Sequence, residues 1–208
     1  MELVIFAGPN GSGKSTLIYN YRKNPKHQGL KYVCPDAIFL QLYPNPPTDE
    51  EEYKKCYITA MEQAETTRNE LINNGVSFIF ETVFSTFEKV IFIKEAKEKG
   101  FSITANFVTT NSFKINIKRV ALRVKQGGHD VPEEKIISRY QRSMEQLPYL
   151  FKLADILNIY DNSSTKYELV YQHTPTQFYI NHKFRRTILV RKYILPNLKP
   201  WRRGFGLI

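Results

Sequence analysis

The segment Gly8-Pro9-Asn10-Gly11-Ser12-Gly13-Lys14-Ser15 restricts the possible folds of this chain more than any other part of it. It fits the pattern G-x-x-x-x-G-K-[ST] and follows the apolar run 2–7, which is typical of a short buried strand. Residues 14–21 favour a helix. Between a strand and a helix, these glycines let backbone N–H groups surround phosphate oxygens, and the helix N-terminus adds a favourable dipole. The sequence therefore predicts a nucleoside-triphosphate site at residues 8–16.

Individual roles within this segment follow from the chemistry of phosphate binding. Lys14 is expected to reach the β- and γ-phosphates of ATP, and the Ser15 hydroxyl is expected to bind Mg²⁺. Thr16 is a candidate for the α-phosphate. Phosphate loops serve kinases, GTPases, helicases and transporters alike, so the motif does not fix the reaction. The sequence has no N-K-x-D guanine-reading motif and no ABC signature, and 208 residues is small for a helicase. A kinase of small substrates fits best.

Apolar runs and helix-forming segments alternate along the first 160 residues. This alternation predicts an α/β protein with the P-loop NTPase fold, in which a parallel sheet is flanked by helices. Strands are predicted at 3–7, 77–81, 103–108 and 154–160, and helices at 14–21, 48–73, 87–99, 112–125 and from Pro132 onward. Residues 24–47 are predicted as a loop with a short helix near 36–42, and 167–171 and 177–180 as a β ribbon.

Local signals place some of the boundaries. Thr48 is predicted to cap the helix 48–73, with Glu51 completing a capping box, and Asn74-Gly75 is predicted to end that helix. An irregular tail with Pro196 and Pro200 is expected after the ribbon. The pattern indicates one α/β domain without a clear linker.

Composition and cysteine usage exclude several classes. A chain that is 42% hydrophobic and 24% charged can form a folded core, so this composition is typical of a folded protein and not of an intrinsically disordered one. Cys34 and Cys56 form no C-x-x-C pair, so a zinc site and a disulfide framework are not expected. No apolar run approaches the roughly 20 residues of a membrane span. The first strand begins at residue 2 without a leader pattern, which predicts a cytoplasmic protein.

Positive charge is concentrated at the C-terminal end. The formal net charge of the chain is +10. Residues 162–208 account for +8 of it, because they hold nine basic side chains and a single acid, Glu168. Such a segment attracts nucleic acid, an anionic membrane or a phosphorylated ligand, or it is a solvated face with a basic tail. The chain has no RGG, zinc-finger or RRM-like signature, so the solvated face is the preferred interpretation.

Two acidic residues are candidates for activating or binding the molecule that accepts the phosphoryl group. Asp36 follows Pro35 in the loop after the first helix, where an acceptor hydroxyl could approach the γ-phosphate; a helix-capping aspartate is the alternative. Glu81, next to Thr82, ends the second predicted strand. Because the carboxyl ends of parallel strands face the ligand crevice, Glu81 is expected to face substrate or magnesium.

Arginines on two successive helices are candidates for binding the transferred phosphoryl group. Arg119 and Arg123 are four residues apart and share one helix face. The breaker Gly127-Gly128 follows, and Arg139 and Arg142 lie on the next helix. Two arginine-bearing helices joined by a Gly-Gly hinge predict a helical lid over the polyphosphate; two solvated helices are the alternative.

Taken together, these segments resemble the zeta-toxin-like kinases. The resemblance covers residues 2–164 and is most specific in the pattern R-V-x-x-R-V-x-x-G-G-H-D-V-P, which occupies 119–132. The matching residues are the glycine loop, Pro35-Asp36, Glu81-Thr82, the 119–132 pattern, Arg139-Tyr140 and Asp161-Asn162-Ser163. Residues 1–164 are accordingly expected to form a zeta-toxin-like P-loop kinase domain. Residues 165–208 are expected to be a basic extension packed on it or trailing from it.

The resemblance implies roles for individual residues. Asp36 would take the acceptor proton, and Glu81 with Thr82 would hold the substrate. Arg123 and Arg139 would bind the γ-phosphate and the developing charge, with Arg119 in support. Asn162 and Ser163 would line the adenine pocket, and His129 is expected to order the lid.

It also implies ligands and partners. The expected substrates are ATP with Mg²⁺ and a small acceptor, most plausibly the 3′-hydroxyl of UDP-N-acetylglucosamine. An antitoxin protein is a possible partner, whereas nucleic acid and membrane are not expected. The alternative function is a P-loop ATPase, or a nucleotide-dependent module whose basic segment holds nucleic acid in a salt-sensitive way.

Overall fold

The computed structural model describes residues 1–128 and 130–198. His129 and Pro200, for which roles were predicted above, lie outside this range, as does the last part of the basic segment. The strands are β1 Glu2–Ala7, β2 Lys31–Val33, β3 Phe78–Thr82, β4 Ser102–Thr109, β5 Ile156–Asp161, β6 Glu168–His173 and β7 Phe178–Ile180. The α-helices are α1 Lys14–Arg22, α2 Pro35–Leu42, α3 Glu50–Asn73, α4 Phe87–Glu98, α5 Phe113–Lys125 and α6 Glu133–Leu153.

All seven strands form one sheet in the order β2-β3-β1-β4-β5-β6-β7. The first five are parallel, and β6 and β7 are added antiparallel at one side. Both edge strands, β2 and β7, are only three residues long. The predicted α/β fold with helices flanking a parallel sheet is confirmed, with an antiparallel extension formed by the predicted ribbon.

The sheet is buried on both faces, as strand β1 illustrates. Leu3 and Ile5 pack into the larger cluster with side chains of α3, α4 and α6, whereas Val4 and Phe6 pack against Ile18 of α1. Residues that alternate between two helical layers explain why the run 3–7 is apolar throughout. Because every parallel strand of the sheet ends at the same edge, the loops that follow β1, β2, β3, β4 and β5 meet there.

Some local expectations need correction. The segment 24–47 contains the strand β2 in addition to the short helix, because Lys31–Val33 pairs with β3 from Phe78 to Phe80. Helix α3 is capped by Asp49, not by Thr48: the Asp49 side chain accepts from the Glu52 backbone N–H at 2.9 Å. The stop at Asn74-Gly75 is as predicted, with Gly75 at φ +65°.

The segment after β7 is more ordered than an irregular tail. It contains the 3-10 turns His182–Phe184 and Leu195–Leu198 and the π-helical stretch Leu189–Ile194. Val190 and Ile194 are fully buried in the main core. The basic side chains between residues 181 and 198 are exposed, and Lys183 pairs with Glu168 at 2.7 Å. None of the helices within the described ranges is both long and apolar enough to cross a membrane.

Candidate active site

A cavity of about 500 Å³ lies where the carboxyl ends of β1, β2 and β3 meet α3 and the α5–α6 pair. Its lining includes both cationic and acidic side chains from separate parts of the sequence. The charged residues predicted for the site that line it are Lys14, Asp36, Glu81, Arg123 and Arg139. Folding therefore brings these five together around one space.

The loop between β1 and α1 has the conformation that a phosphate-binding loop requires. Gly8 has φ +137°, and a Cβ there would lie 2.0 Å from the Val108 carbonyl oxygen. Gly13 has φ +99°, and its Cβ would lie 2.3 Å from Asn162 Nδ2. Both positions combine a left-handed backbone with a close neighbour, so only glycine fits them.

Three side chains hold this loop from outside. Asn116 Nδ2 donates to the Asn10 carbonyl at 2.6 Å. Asn162 Nδ2 donates to the Ser12 carbonyl at 2.8 Å, and the Tyr167 hydroxyl donates to the Gly13 carbonyl at 2.7 Å. With its carbonyls bound from behind, the loop keeps its shape.

Lys14 is a buried cation at the bottom of the cavity. Its Nζ donates to the Pro9 carbonyl at 3.1 Å, and the described carboxylates are too distant to form an ion pair with it. Burial lowers the pKa of Lys14, against the opposing effect of Glu81 and Asp36. Nearby, the buried Ser12 hydroxyl has no hydrogen-bond partner among residues that the structure describes. These groups fit an anionic ligand such as a nucleotide phosphate.

Glu81 connects the end of β3 to the start of α1. Its Oε1 accepts from the Ser15 hydroxyl at 3.1 Å, and its Oε2 accepts from the Tyr32 hydroxyl at 2.5 Å. The Cys34 thiol lies 3.9 Å from the same Oε2. Burial and the Glu81 carboxylate raise the pKa of both Tyr32 and Cys34, so both stay protonated donors. A carboxylate next to a hydroxyl is a set of oxygen ligands that suits Mg²⁺.

Asp36 occupies the first turn of α2, on the wall of the cavity. Its Oδ1 accepts a hydrogen bond from the Tyr57 hydroxyl of α3 at 2.6 Å. The carboxylate is exposed, so a molecule in the cavity can reach it. Burial and the Asp36 charge raise the pKa of Tyr57, which keeps that phenol protonated.

Thr82 is buried at the end of β3, where its hydroxyl oxygen accepts from the Phe84 backbone N–H at 3.0 Å. Phe84 has φ +55°, a left-handed conformation that costs free energy in a residue other than glycine. The Thr82 hydroxyl thus stabilises a strained turn in the cavity wall.

The arginines come from α5 and α6. Arg123 and Arg139 line the cavity, and Arg139 donates to Asn10 Oδ1 at 3.3 Å. Arg119 donates to the Ser164 carbonyl at 3.2 Å, while its buried NH1 lacks a partner in the described part of the chain. Thr16 is exposed on α1, and the Ser163 hydroxyl accepts from the Asn111 N–H at 2.7 Å.

Sequence reasoning missed several residues of the site, among them Tyr32, Tyr57, Asn116 and Tyr167. Asn116 had a usable signal, because it lies three residues before Arg119 and seven before Arg123 on the same face of α5. The three tyrosines had none, because their partners are between 21 and 154 residues away in sequence.

The arrangement can bind polyphosphate at one side and position a hydroxyl at the other. The glycine loop and Lys14 supply positive potential, and the cavity beside them exposes the Asp36 carboxylate. Cations placed over a phosphate and a carboxylate placed next to an acceptor are the parts that phosphoryl transfer uses.

Comparisons with known proteins identify the family to which this chain is similar. The family model described as Zeta toxin matches residues 2–171. An uncharacterised protein of Haemophilus influenzae is 30% identical over 140 residues, which is 67% of this chain and 92% of that protein.

Solved structures with little sequence identity share the fold. The AvrRxo1-ORF1:-ORF2 complex with ATP superposes with a TM-score of 0.69 at 15% identity, covering 99% of this chain and 66% of that chain. The PezAT chromosomal toxin–antitoxin system of Streptococcus pneumoniae gives a TM-score of 0.57 at 18% identity, with coverage of 82% and 71%.

Proposed function

The chain belongs to the zeta toxin family of P-loop kinases, and on that premise we propose that it phosphorylates a hydroxyl of a small molecule with ATP. The acceptor that we propose is the 3′-hydroxyl of UDP-N-acetylglucosamine. The observation that carries the proposal is the shared cavity, because Asp36 lines it together with Lys14, Arg123 and Arg139. An ATP-binding switch would need no carboxylate facing an acceptor space.

Residues 8–16 would hold the ATP phosphates, and Ser15 with Glu81 would hold Mg²⁺. The described residues include no group of three or more His, Cys, Asp or Glu side chains able to hold a metal ion. This is compatible with magnesium, which keeps several waters and binds through one or two protein oxygens together with substrate phosphates. When bound, the ion supplies neutralisation of the polyphosphate charge.

In the proposed transfer, the acceptor hydroxyl gives its proton to Asp36. The hydroxyl oxygen forms a bond to the γ-phosphorus as the bond to the β–γ bridging oxygen breaks, and ADP leaves. Arg123 and Arg139 stabilise the charge on the transferred group, while Lys14 stays on the β- and γ-phosphates. Tyr57 orients the Asp36 carboxylate.

A protein partner belongs to the same proposal. One structural neighbour is a toxin–antitoxin system and another is a complex of two open-reading-frame products, so we propose that an antitoxin protein restrains this kinase. The proposal predicts that the wild-type chain inhibits growth of a bacterial host and Lys14→Ala does not. Equal growth with both would argue against it.

The deciding experiment is one incubation of the protein with Mg·ATP and UDP-N-acetylglucosamine, analysed by mass spectrometry, with Lys14→Ala as the control. A product heavier by one phosphoryl group, absent with the variant, supports both reaction and acceptor. ADP and free phosphate without that product, again absent with Lys14→Ala, would instead favour the ATPase alternative.

A further inference from the structure

Arg68 is a buried cation in the same cavity, and the roles proposed so far for ATP, magnesium and the acceptor do not involve it. It lies on α3, is only 5% exposed and lines the cavity. Its Nε is buried without a hydrogen-bond partner in the described ranges, which also contain no ion pair to its guanidinium. A burial this complete without a partner is unusual for an arginine.

Aromatic rings replace the missing partners only in part. The guanidinium carbon lies 4.7 Å from the Phe80 ring centroid and 5.4 Å from that of Phe92. Contact with a ring face stabilises the cation, but a ring offers no hydrogen-bond acceptor in the plane of the guanidinium, and Nε has none among the residues that the structure describes. Those edge donors are the groups that bind carboxylates and phosphates in a bidentate manner.

The acids around Arg68 are not positioned to neutralise it. Glu65 and Glu88 are the carboxylates that act electrostatically on Arg68; both are exposed, and Glu88 pairs with Lys89 at 2.6 Å. Burial lowers the pKa of Arg68, and Glu65 and Glu88 oppose that effect. A guanidinium stays protonated in proteins, so the cost of burying this charge remains in the folded chain.

We propose that Arg68 binds an oxyanion carried by the phosphoryl acceptor, so that the acceptor is an anionic hydroxylated molecule with a phosphate or a carboxylate. This inference rests on the proposed function, since it assigns the substrate to the same cavity. Arg68 is then a specificity residue: it selects acceptors that bring their own negative charge. The carboxylates of Glu62 and Glu65, which also line the cavity, accept hydrogen bonds from acceptor hydroxyls.

The site is separate from the one for ATP. Lys14, Arg123 and Arg139 come from the glycine loop and from α5 and α6, whereas Arg68 comes from the C-terminal third of α3 and lies over Phe80 of β3. Three cations for the donor and one on α3 fit two anions in one cavity, the polyphosphate of the donor and the charge of the acceptor.

The test is a calorimetric titration with the P-loop filled by Mg²⁺ and a non-hydrolysable ATP analogue. Three probes are used: N-acetylglucosamine 1-phosphate, glucuronate and neutral N-acetylglucosamine. The variants are Arg68→Gln and Arg68→Lys, with Arg185→Gln as control because Arg185 is an exposed arginine away from the cavity lining.

The expected result is that at least one anionic probe binds the wild type and Arg185→Gln more tightly than the neutral sugar does. Arg68→Gln should weaken that binding by about 10- to 100-fold and leave the affinity for the ATP analogue unchanged. The phosphate and carboxylate probes identify which oxyanion the site prefers. Because Arg68→Gln removes a buried unpaired charge, its melting temperature should be no lower than that of the wild type.

Anionic probes that bind no better than the neutral sugar, or that bind Arg68→Gln as well as the wild type, would overturn the inference. If Arg68→Gln does not fold, Arg68→Lys decides alone: it keeps the charge but lacks the planar fork, so unchanged affinity contradicts the proposal and a loss of about tenfold supports it. Binding is read independently of turnover. If UDP-N-acetylglucosamine is not phosphorylated but an anionic probe still binds in an Arg68-dependent way, the kinase proposal fails and the anion site stands.

Discussion

The Tyr57 hydroxyl donates a hydrogen bond of 2.6 Å to Asp36 Oδ1, which links the N-terminal third of α3 to the first turn of α2. Burial and the neighbouring carboxylate raise the pKa of Tyr57, so the phenol remains a donor throughout the pH range of an enzyme assay. The protein therefore fixes Oδ1 of Asp36, and through it the direction in which Oδ2 points. The helix that does this, α3, also lines the cavity. Two predictions concern this pair.

Asp36→Asn should fold normally and bind ATP as the wild type does, but phosphoryl transfer should fall by about 10²- to 10⁴-fold, because an amide cannot take the acceptor proton. The amide keeps an oxygen for the Tyr57 hydrogen bond, so the local packing is preserved. Product formation by mass spectrometry and ATP affinity by calorimetry measure the two effects. Unchanged transfer would remove Asp36 from the role of base.

Tyr57→Phe should lower kcat by roughly 3- to 10-fold without changing ATP affinity, because the carboxylate loses one orienting hydrogen bond worth about 1 kcal/mol. Tyr179→Phe is the matched control, since Tyr179 is an exposed tyrosine on the edge strand β7. A kcat for Tyr57→Phe equal to that of the control would show that Asp36 needs no support from α3.

Arg123→Ala and Arg139→Ala should each reduce the transfer rate by about 100-fold or more, with a smaller effect on ATP affinity, because they act on charge that develops during transfer. Steady-state kinetics with separate ATP titrations distinguish the two effects. If affinity falls and the rate at saturating ATP does not, the arginines bind the ground state and the lid does not contribute to transfer.

Gly128→Ala should impair the rate through Arg123. A Cβ at Gly128 would lie 2.5 Å from Arg123 Cγ and 3.0 Å from the Arg123 carbonyl oxygen, so the arginine has to move. We expect kcat to fall by roughly 10-fold while the melting temperature changes little. Gly29→Ala is the control, because nothing lies within 4 Å of its added methyl group and its φ is not positive. Full activity of Gly128→Ala would show that the position of Arg123 is not critical.

The pH dependence of stability can be predicted at Asp155, just before β5. Asp155 accepts from the Ile103 N–H and from Lys97 Nζ, each at 2.8 Å. Burial raises its pKa, but these two donors outweigh burial and hold the pKa of Asp155 below its ordinary value of 3.8. A depressed pKa means that the contribution is complete above 3.8 and is lost as the pH falls through the folded-state pKa.

Asp155→Asn should therefore lower the free energy of unfolding at pH 7 by about 1 kcal/mol, a modest figure because both partners are partly exposed. The difference from the wild type should stay constant down to about pH 5 and shrink below the ordinary pKa. Urea unfolding at pH 7, 5 and 3.5 measures it. A difference that grows on acidification would contradict the assignment.

The parts of the fold that were predicted correctly are those with local causes. The glycine loop is defined by its own backbone, as at Gly8, and strand β1 by apolar side chains facing two helical layers. Strand β2 could not be predicted, since three residues among prolines and glycines become a strand only by pairing with Phe78–Phe80. The cap of α3 was placed one residue early because Thr48 and Asp49 are both good caps and only the chain path chooses between them.

The site divides in the same way. Lys14 and the arginines of α5 belong to recognisable sequence patterns. Tyr57 and Arg68, in contrast, lie inside a 24-residue helix rich in charged and polar residues. Nothing in that helix distinguishes Arg68 from a solvated arginine until β3 brings Phe80 beneath it. The residues proposed to bind ATP could therefore be selected from short patterns. The acceptor side depends on which face of α3 the sheet covers.

The two edges of the sheet limit how readily a second chain could pair with it. β2 and β7 each have three residues, so the sheet presents few unpaired backbone N–H and C=O groups to another molecule. Long flat edges act as templates for aggregation and domain swapping, and very short edge strands are one way in which proteins prevent it. The longer central strands, whose side chains are mostly buried, are thus flanked by edge strands that offer little backbone for a second chain to pair with.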